Sequence, residues 1–177
     1  MRAALFAVFA LAPTTVLAFE VRETTFEVYH TENGEEVSDT TTTVPLTFDN
    51  QTCWNWWIRS TEDTGDVTFT EKLIMPTAPE SWGDPDEIPE GQIGKLILED
   101  GGKIGISTRK AALDDGWFGH GWCILPGDPV GDHVVEVTVE GEMVHRFDFE
   151  VVPPRAPVTP PPTRTYDRTD RSGRFSL

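Results

Sequence analysis

Cys53 and Cys123 are the only sulfur nucleophiles in this 177-residue sequence, and their chemistry depends on the compartment they fold in. They lie 70 positions apart, with no C-x-x-C spacing to make a redox pair. In an oxidising compartment an even cysteine count predicts a disulfide. Closing a loop of that size would stabilise the fold by about 4 kcal/mol in the chain-entropy model. A catalytic thiol is the lesser alternative. Tryptophans crowd both cysteines. Trp54, Trp56 and Trp57 follow the first, and Trp117, Phe118 and Trp122 precede the second. A bridge would bring Trp54 and Trp122 beside it, and tryptophan against a disulfide is a core device of immunoglobulin-like domains. Period-two alternation keeps Trp56 and Trp57 off a common face, so at least one points away from that core. It packs under a second layer or a loop, or it joins an exposed platform for a sugar, a peptide or a partner. The candidate binding residues are Trp56, Trp57, Trp117, His120 and Trp122.

Asp84, Asp86 and Glu87, with Glu90 nearby, offer hard oxygen ligands for Ca²⁺. They lack the order of an EF-hand loop and read first as a solvated charged loop. His30, His120, His133 and His145 show no metal-ligand spacing and no H-E-x-x-H frame. His120 stands between Gly119 and Gly121. Glycines let a backbone approach a ligand, and they also make ordinary loops. Ser107-Thr108-Arg109-Lys110 matches S-x-x-K in letters but lacks the partner motifs. Asn50-Gln51-Thr52 is a glycosylation sequon, relevant only to a eukaryotic source. No catalytic constellation and no cofactor site follow from these residues.

The elements that must position these side chains begin after an export signal. Arg2 gives a positive start, Ala3 to Leu11 an apolar run, and Val16 and Ala18 the small residues a signal peptidase reads, so residues 1–18 are expected to be cleaved before Phe19. The run falls short of the roughly 20 apolar residues that span a bilayer. No membrane span is expected after cleavage, and the mature chain is expected in the periplasm or secreted. Residues 19–152 then form one domain with its own core. Phe26 and Val28, then Val44 and Leu46, alternate with polar neighbours. Pro45 cannot donate to a ladder, so its strand is an edge or carries a bulge. Cys53 to Ile58 is apolar on both faces and reads as a central strand. Lys95–Leu98 and Lys103–Ile106 flank a turn at Glu99–Gly102. Val135, Val137 and Val139, then Phe147, Phe149 and Val151, flank a turn at Glu140-Gly141. Ser107 to Leu113 is the one stretch with a turn or two of helical character. Pro76 to Gly91 is a long loop. Seven to nine short strands of this kind predict an all-β protein, an antiparallel immunoglobulin-like β-sandwich held across its two layers by the disulfide. A small closed barrel is the alternative.

From Pro153 the composition changes. Six prolines between 153 and 162 make an extended spacer, and residues 153–177 read as a Pro/Arg-rich flexible, disordered tail. Residues 19–152 carry 28 acidic and 8 basic side chains, whereas the tail carries five arginines and two aspartates. An acidic body repels nucleic acid, whose binding runs on cationic contacts to phosphates. Its plain use is solubility.

Gly121-Trp122-Cys123-Ile124-Leu125-Pro126-Gly127, then Val137-Thr138-Val139-Glu140-Gly141, then Phe147-Asp148-Phe149-Glu150-Val151 resemble the final strands of an uncharacterised family of exported bacterial immunoglobulin-like β-sandwich domains. The resemblance covers about 35 residues and implies a fold without a reaction. The chain departs from a true immunoglobulin domain at Gly121, where a tyrosine corner would place Tyr, and at Trp54, which follows its cysteine at once. The functional expectation is an exported, non-enzymatic, monomeric binding or accessory module whose partner is another envelope protein. The alternative is carbohydrate binding on an exposed tryptophan platform.

Overall fold

The computed structural model describes residues 19–32, 34–47, 52–83 and 88–153. The signal segment, Asn50 and Gln51 of the sequon, the calcium candidates Asp84, Asp86 and Glu87, and the tail beyond Pro153 lie outside the described residues. The described chain is all-β. Its strands are β1 (Val21–Glu32), β2 (Glu35–Thr40), β3 (Thr43–Pro45), β4 (Cys53–Ser60), β5 (Thr64–Ile74), β6 (Gln92–Glu99), β7 (Ile104–Asp114), β8 (Trp117–Cys123), β9 (Gly131–Val139) and β10 (Glu142–Val152). They form one curled sheet in the order β2-β1-β4-β8-β7-β5-β9-β10-β3, with β6 paired to β7.

The curl has a local cause. Strands β7 and β8 share a single rung, Asp114 to Trp117, around a tight turn at Asp115-Gly116. Both turn residues have positive φ, 49° and 81°, the backbone that a two-residue hairpin demands and that Asp-Gly supplies at little cost. Beyond that rung the strands part. The sheet therefore folds into two facing layers, β2-β1-β4-β8 and β6-β7-β5-β9-β10-β3. Aromatic rings fill the space between. Trp54 meets Phe149 at 4.8 Å, Phe26 meets Phe149 at 5.0 Å, and Trp56 meets Phe69 at 5.2 Å between ring centroids. Such pairs add about 0.5–1.5 kcal/mol each beyond the area they bury.

Four expectations change. The strand count is ten among the described residues. The sheet is mixed, because β3 crosses to the far edge of the second layer and runs parallel to β10. Pro45 ends that three-residue edge strand, where its missing N–H breaks no ladder. Ser107 to Leu113 is strand, since β7 pairs along its whole length with β5. Non-local pairing here overrides local propensity.

The fourth change concerns the disulfide. Cys53 and Cys123 are bonded, but they face each other across β4 and β8. The link joins neighbours within one layer and does not cross between layers as in an immunoglobulin domain. Cys53 is buried and Cys123 is exposed, so a reductant reaches the bond from outside. Reduction should lower the melting temperature by about 10–20 °C, from roughly 4 kcal/mol of loop entropy. Circular dichroism melts with and without dithiothreitol test this, and coincident curves would show that the bond adds no stability.

Candidate functional site

Inward positions of β5 read Val67, Phe69, Glu71, Leu73, an apolar row broken by one carboxylate. Glu71 is 1% exposed. Burying a bare carboxylate costs several kcal/mol, so it must be hydrogen-bonded. Trp56 Nε1 donates to its Oε2 at 2.6 Å, and Trp122 Nε1 donates to its Oε1 at 2.6 Å. His120 Nδ1 lies 3.0 Å from Oε2 and donates there when that nitrogen carries the proton. The carboxylate belongs to the second layer, and all three donors belong to the first. Burial pushes the Glu71 pKa up. The hydrogen bond and charge of His120, then the two indoles, overcome it and leave the pKa below its ordinary value.

Two more polar residues of β7 face this centre. Ser107 pairs in register with Glu71, and its Oγ is buried with no hydrogen-bond partner. Arg109 donates through Nη2 to the Glu90 carbonyl oxygen at 2.9 Å. Burial lowers the Arg109 pKa, and the negative charge of Glu71 acts against that. Among the described residues no group of three or more His, Cys, Asp or Glu side chains is placed to hold a metal ion. Beside the centre lies a cleft of about 50 Å³ between Trp54, Leu73, Trp82, Trp122 and His133, room for a few water molecules.

The five predicted binding residues do not assemble. Trp56 is wholly buried and belongs to no exposed platform. The alternation of β4 turns it inward, onto Phe69 and Phe147. His120 and Trp122 also face inward, bound to Glu71. Trp57 and Trp117 lie on the outer face of the same layer, half-buried. Arg59 sits 5.9 Å from the Trp117 ring centroid, a cation–π contact. The glycines beside His120 are explained by that outer face. A Cβ at Gly119 would strike the Trp57 ring and the Trp56 carbonyl oxygen, and one at Gly121 would strike Asn55 and the Trp54 carbonyl oxygen. They make room for β4 side chains.

Sequence reasoning missed Glu71, hidden among 30 acidic residues. The usable signal was its parity with Val67, Phe69 and Leu73. Sequence reasoning also missed an apolar face on the outside of the second layer. There Ile97 pairs with Ile106, Ile104 with Ile74, and Ile74 with Val134. Ile93 and Ile97 are 51% and 58% exposed.

The family model of the PM0630 beta sandwich domain matches residues 24–152. The chain belongs to that family. The match spans the ten strands from within β1 to the end of β10, and so includes Glu71, its three donors and the disulfide. Among solved structures, an immunoglobulin-like protein of Pseudomonas aeruginosa is similar at 12% identity and a TM-score of 0.45, covering 78% of this chain and 100% of that one. The alkylpurine DNA glycosylase AlkC of Pseudomonas fluorescens, bound to DNA, is similar at 12% identity and a TM-score of 0.37, covering 75% of this chain and 30% of that one. A β-glucosidase of Listeria innocua is similar at 16% identity and a TM-score of 0.34, covering 72% and 16%. At these TM-scores none bears on the function of a PM0630 family member. No curated protein matches the chain.

Replacing Glu71 by Leu should destabilise the domain by about 3–5 kcal/mol, because it leaves Trp56 and Trp122 N–H groups buried without acceptors. Urea denaturation measures this, and a loss under about 1 kcal/mol would deny the carboxylate its structural weight. The pH dependence should show two windows. Burial holds the His133 and His145 pKa values low, so stability falls as pH drops from about 6.5 through their folded pKa values. Glu71 has a folded pKa below its unfolded one. Its contribution is complete above about pH 4.3 and is lost as pH falls through the folded pKa. Glu71→Gln should shrink only the lower window in an acid titration followed by circular dichroism.

Proposed function

We propose that this chain is an exported, non-enzymatic binding module that meets an envelope protein through the isoleucine face of its second layer. The observation that carries this reading is the apolar row Ile97, Ile106, Ile104, Ile74 and Val134 on the outside of an otherwise acidic domain, with Ile97 more than half exposed and the other four partly so. A soluble protein rarely leaves a contiguous apolar face to water without a partner for it. Export is supported by the disulfide, which persists in oxidising compartments. No helix among the described residues is long and apolar enough to cross a membrane. The non-enzymatic reading is supported by the state of the buried carboxylate. Both oxygens of Glu71 are taken by fixed donors, which suits a structural acceptor better than an acid or base. The acidic body argues against nucleic acid as the partner. The immunoglobulin-like description is kept as architecture alone, in a variant with its disulfide inside one layer.

A second reading has its own observation. Trp57 and Trp117 are diagonal neighbours on the outer face of the first layer, since Trp57 pairs with Gly119 and Arg59 with Trp117. Two indoles so placed could stack on a sugar. Quenching of tryptophan fluorescence by a glycan, lost in Trp117→Ala, would favour it. No response to a glycan panel would remove it.

The leading reading predicts that Ile93→Asp with Ile97→Asp abolishes retention of the envelope partner. Stability should stay within about 0.5 kcal/mol, because both side chains are mostly exposed. Quantitative capture from an envelope fraction, with wild type and variant side by side, checks this. Equal capture of the same proteins would move the interface elsewhere.

A further inference from the structure

The cleft beside the buried carboxylate is lined by three of the chain's six tryptophans, far more than its size requires. Trp54 comes from β4, Trp122 from β8, and Trp82 from the segment between β5 and β6. The Trp82 and Trp122 rings stand at 80° to each other with centroids 6.2 Å apart, so the cleft is walled in two directions. Both of these indole N–H groups are engaged elsewhere. Trp122 Nε1 donates to Glu71 Oε1, and Trp82 Nε1 donates to the Gly102 carbonyl oxygen at 2.8 Å. What the two rings can offer the cleft is π surface. Two glycines fix the Trp82 wall. A Cβ at Gly105 would strike the Trp82 ring. One at Gly127, which takes φ 92°, would strike Glu80, whose N–H donates to the Gly127 carbonyl oxygen at 3.2 Å. The wall is thus in place before any ligand arrives, which lowers the cost of binding.

Charge enters this cleft at one place. Asp128 is the one carboxylate among the described lining residues, and no lysine or arginine lines the cleft with it. Its Oδ2 accepts from the Leu125 backbone N–H at 2.7 Å. Burial raises the Asp128 pKa, against the Leu125 hydrogen bond and the charge of His133. Burial also lowers the His133 pKa, so that imidazole is neutral at neutral pH and leaves the carboxylate without a cation. The site is an apolar hollow with a partly desolvated negative charge at its side.

We propose that this cleft binds a quaternary ammonium group, with Trp82 and Trp122 as its aromatic walls and Asp128 as its counter-charge. A cation near an indole face is attracted by the ring quadrupole, and the attraction grows when both are desolvated. A primary ammonium brings three N–H donors that need acceptors, and indole faces are poor ones. A fully methylated nitrogen brings none. Size agrees. A volume of about 50 Å³ holds about four water-sized groups at roughly 10–15 Å³ each, the number of heavy atoms in a trimethylammonium head. Ser81, Cys123 and Leu125 are exposed among the lining residues, so the rest of a ligand leaves past them. The net −16 of the chain draws cations towards it. The site does not depend on the isoleucine face, which lies on the other side of β5.

The test uses the mature chain with its disulfide intact and choline chloride as the probe. Choline should change the tryptophan fluorescence with a Kd of about 1 mM, beyond the effect of equal sodium chloride. Its neutral isostere, with a tert-butyl group in place of the trimethylammonium, should bind at least about tenfold more weakly. Trp82→Leu keeps an apolar wall and removes the π face. Asp128→Asn keeps an acceptor for the Leu125 N–H and removes the charge. Each should weaken choline binding about tenfold while circular dichroism shows a cooperative melt. No saturable response to choline up to about 50 mM overturns the inference. Equal affinity for the neutral isostere also overturns it, since the cleft would then be a plain apolar pocket. So does unchanged choline binding in both variants, which would move the site elsewhere. Choline binding should survive Ile93→Asp with Ile97→Asp, so the cleft and the isoleucine face stand or fall separately.

Discussion

Glu71 accepts hydrogen bonds from two indoles of the opposite layer and pairs with a third ring, the imidazole of His120. Much of the rest depends on this contact. Desolvating a carboxylate costs several kcal/mol, and only well-placed donors offset it. The donors sit on fixed positions of β4 and β8. A slip of β8 by one residue would turn His120 and Trp122 outward and leave the carboxylate stranded. The buried charge thus adds little net stability compared with an apolar core. What it adds is a penalty on every wrong register and every wrong stacking of the layers. The disulfide complements it at right angles: it fixes β4 against β8 within one layer, whereas Glu71 fixes that layer against β5.

The same constraint explains the composition of β8. Its inner positions carry Phe118, His120 and Trp122, and its outer ones carry Gly119 and Gly121. The inner residues are large because they must reach β5. The outer ones are glycine because Trp57 and Asn55 of β4 lie over the backbone there. An isolated His between two glycines looks like an exposed, ligand-ready loop. In the fold it is a rigid rung with one side given to the carboxylate and the other to a neighbouring strand.

What the sequence revealed follows from how local each cause is. The β9–β10 hairpin was legible because Val135, Val137, Val139, Phe147, Phe149 and Val151 alternate on either side of a turn, and Glu140 and Gly141 both take positive φ. The cysteine pair was legible from its even count and from the expectation of an oxidising compartment. Its placement within one layer was not, because that depends on which strands become neighbours. Ser107 to Leu113 carries mild helical character and becomes a strand through pairing with β5, a partner some 40 residues away. The parallel placement of β3 depends on a crossover between layers that no local pattern encodes. Glu71 was legible in principle, since it breaks an inward apolar row. Among so many acids its parity was the only mark it carried.

The distribution of unmet chemistry separates interior from surface. Inside, the carboxylate, both indoles and Arg109 are engaged with partners, and Ser107 Oγ is the exception among the described residues. Outside, the balance reverses. Ile93 and Ile97, worth roughly 1.5–3 kcal/mol each on full burial, stand half or more in water on β6, a strand that pairs with β7 alone among the described strands. The chain is strongly acidic overall, whereas residues 92–114 carry Lys95, Lys103, Arg109 and Lys110 against Glu99, Asp100 and Asp114. An apolar face kept near-neutral within a strongly charged surface is the arrangement that association requires, because charge there would have to be desolvated on contact. The face we propose for recognition is thus the outside of β5, β6 and β7, set apart from the buried polar centre that ties the two layers together.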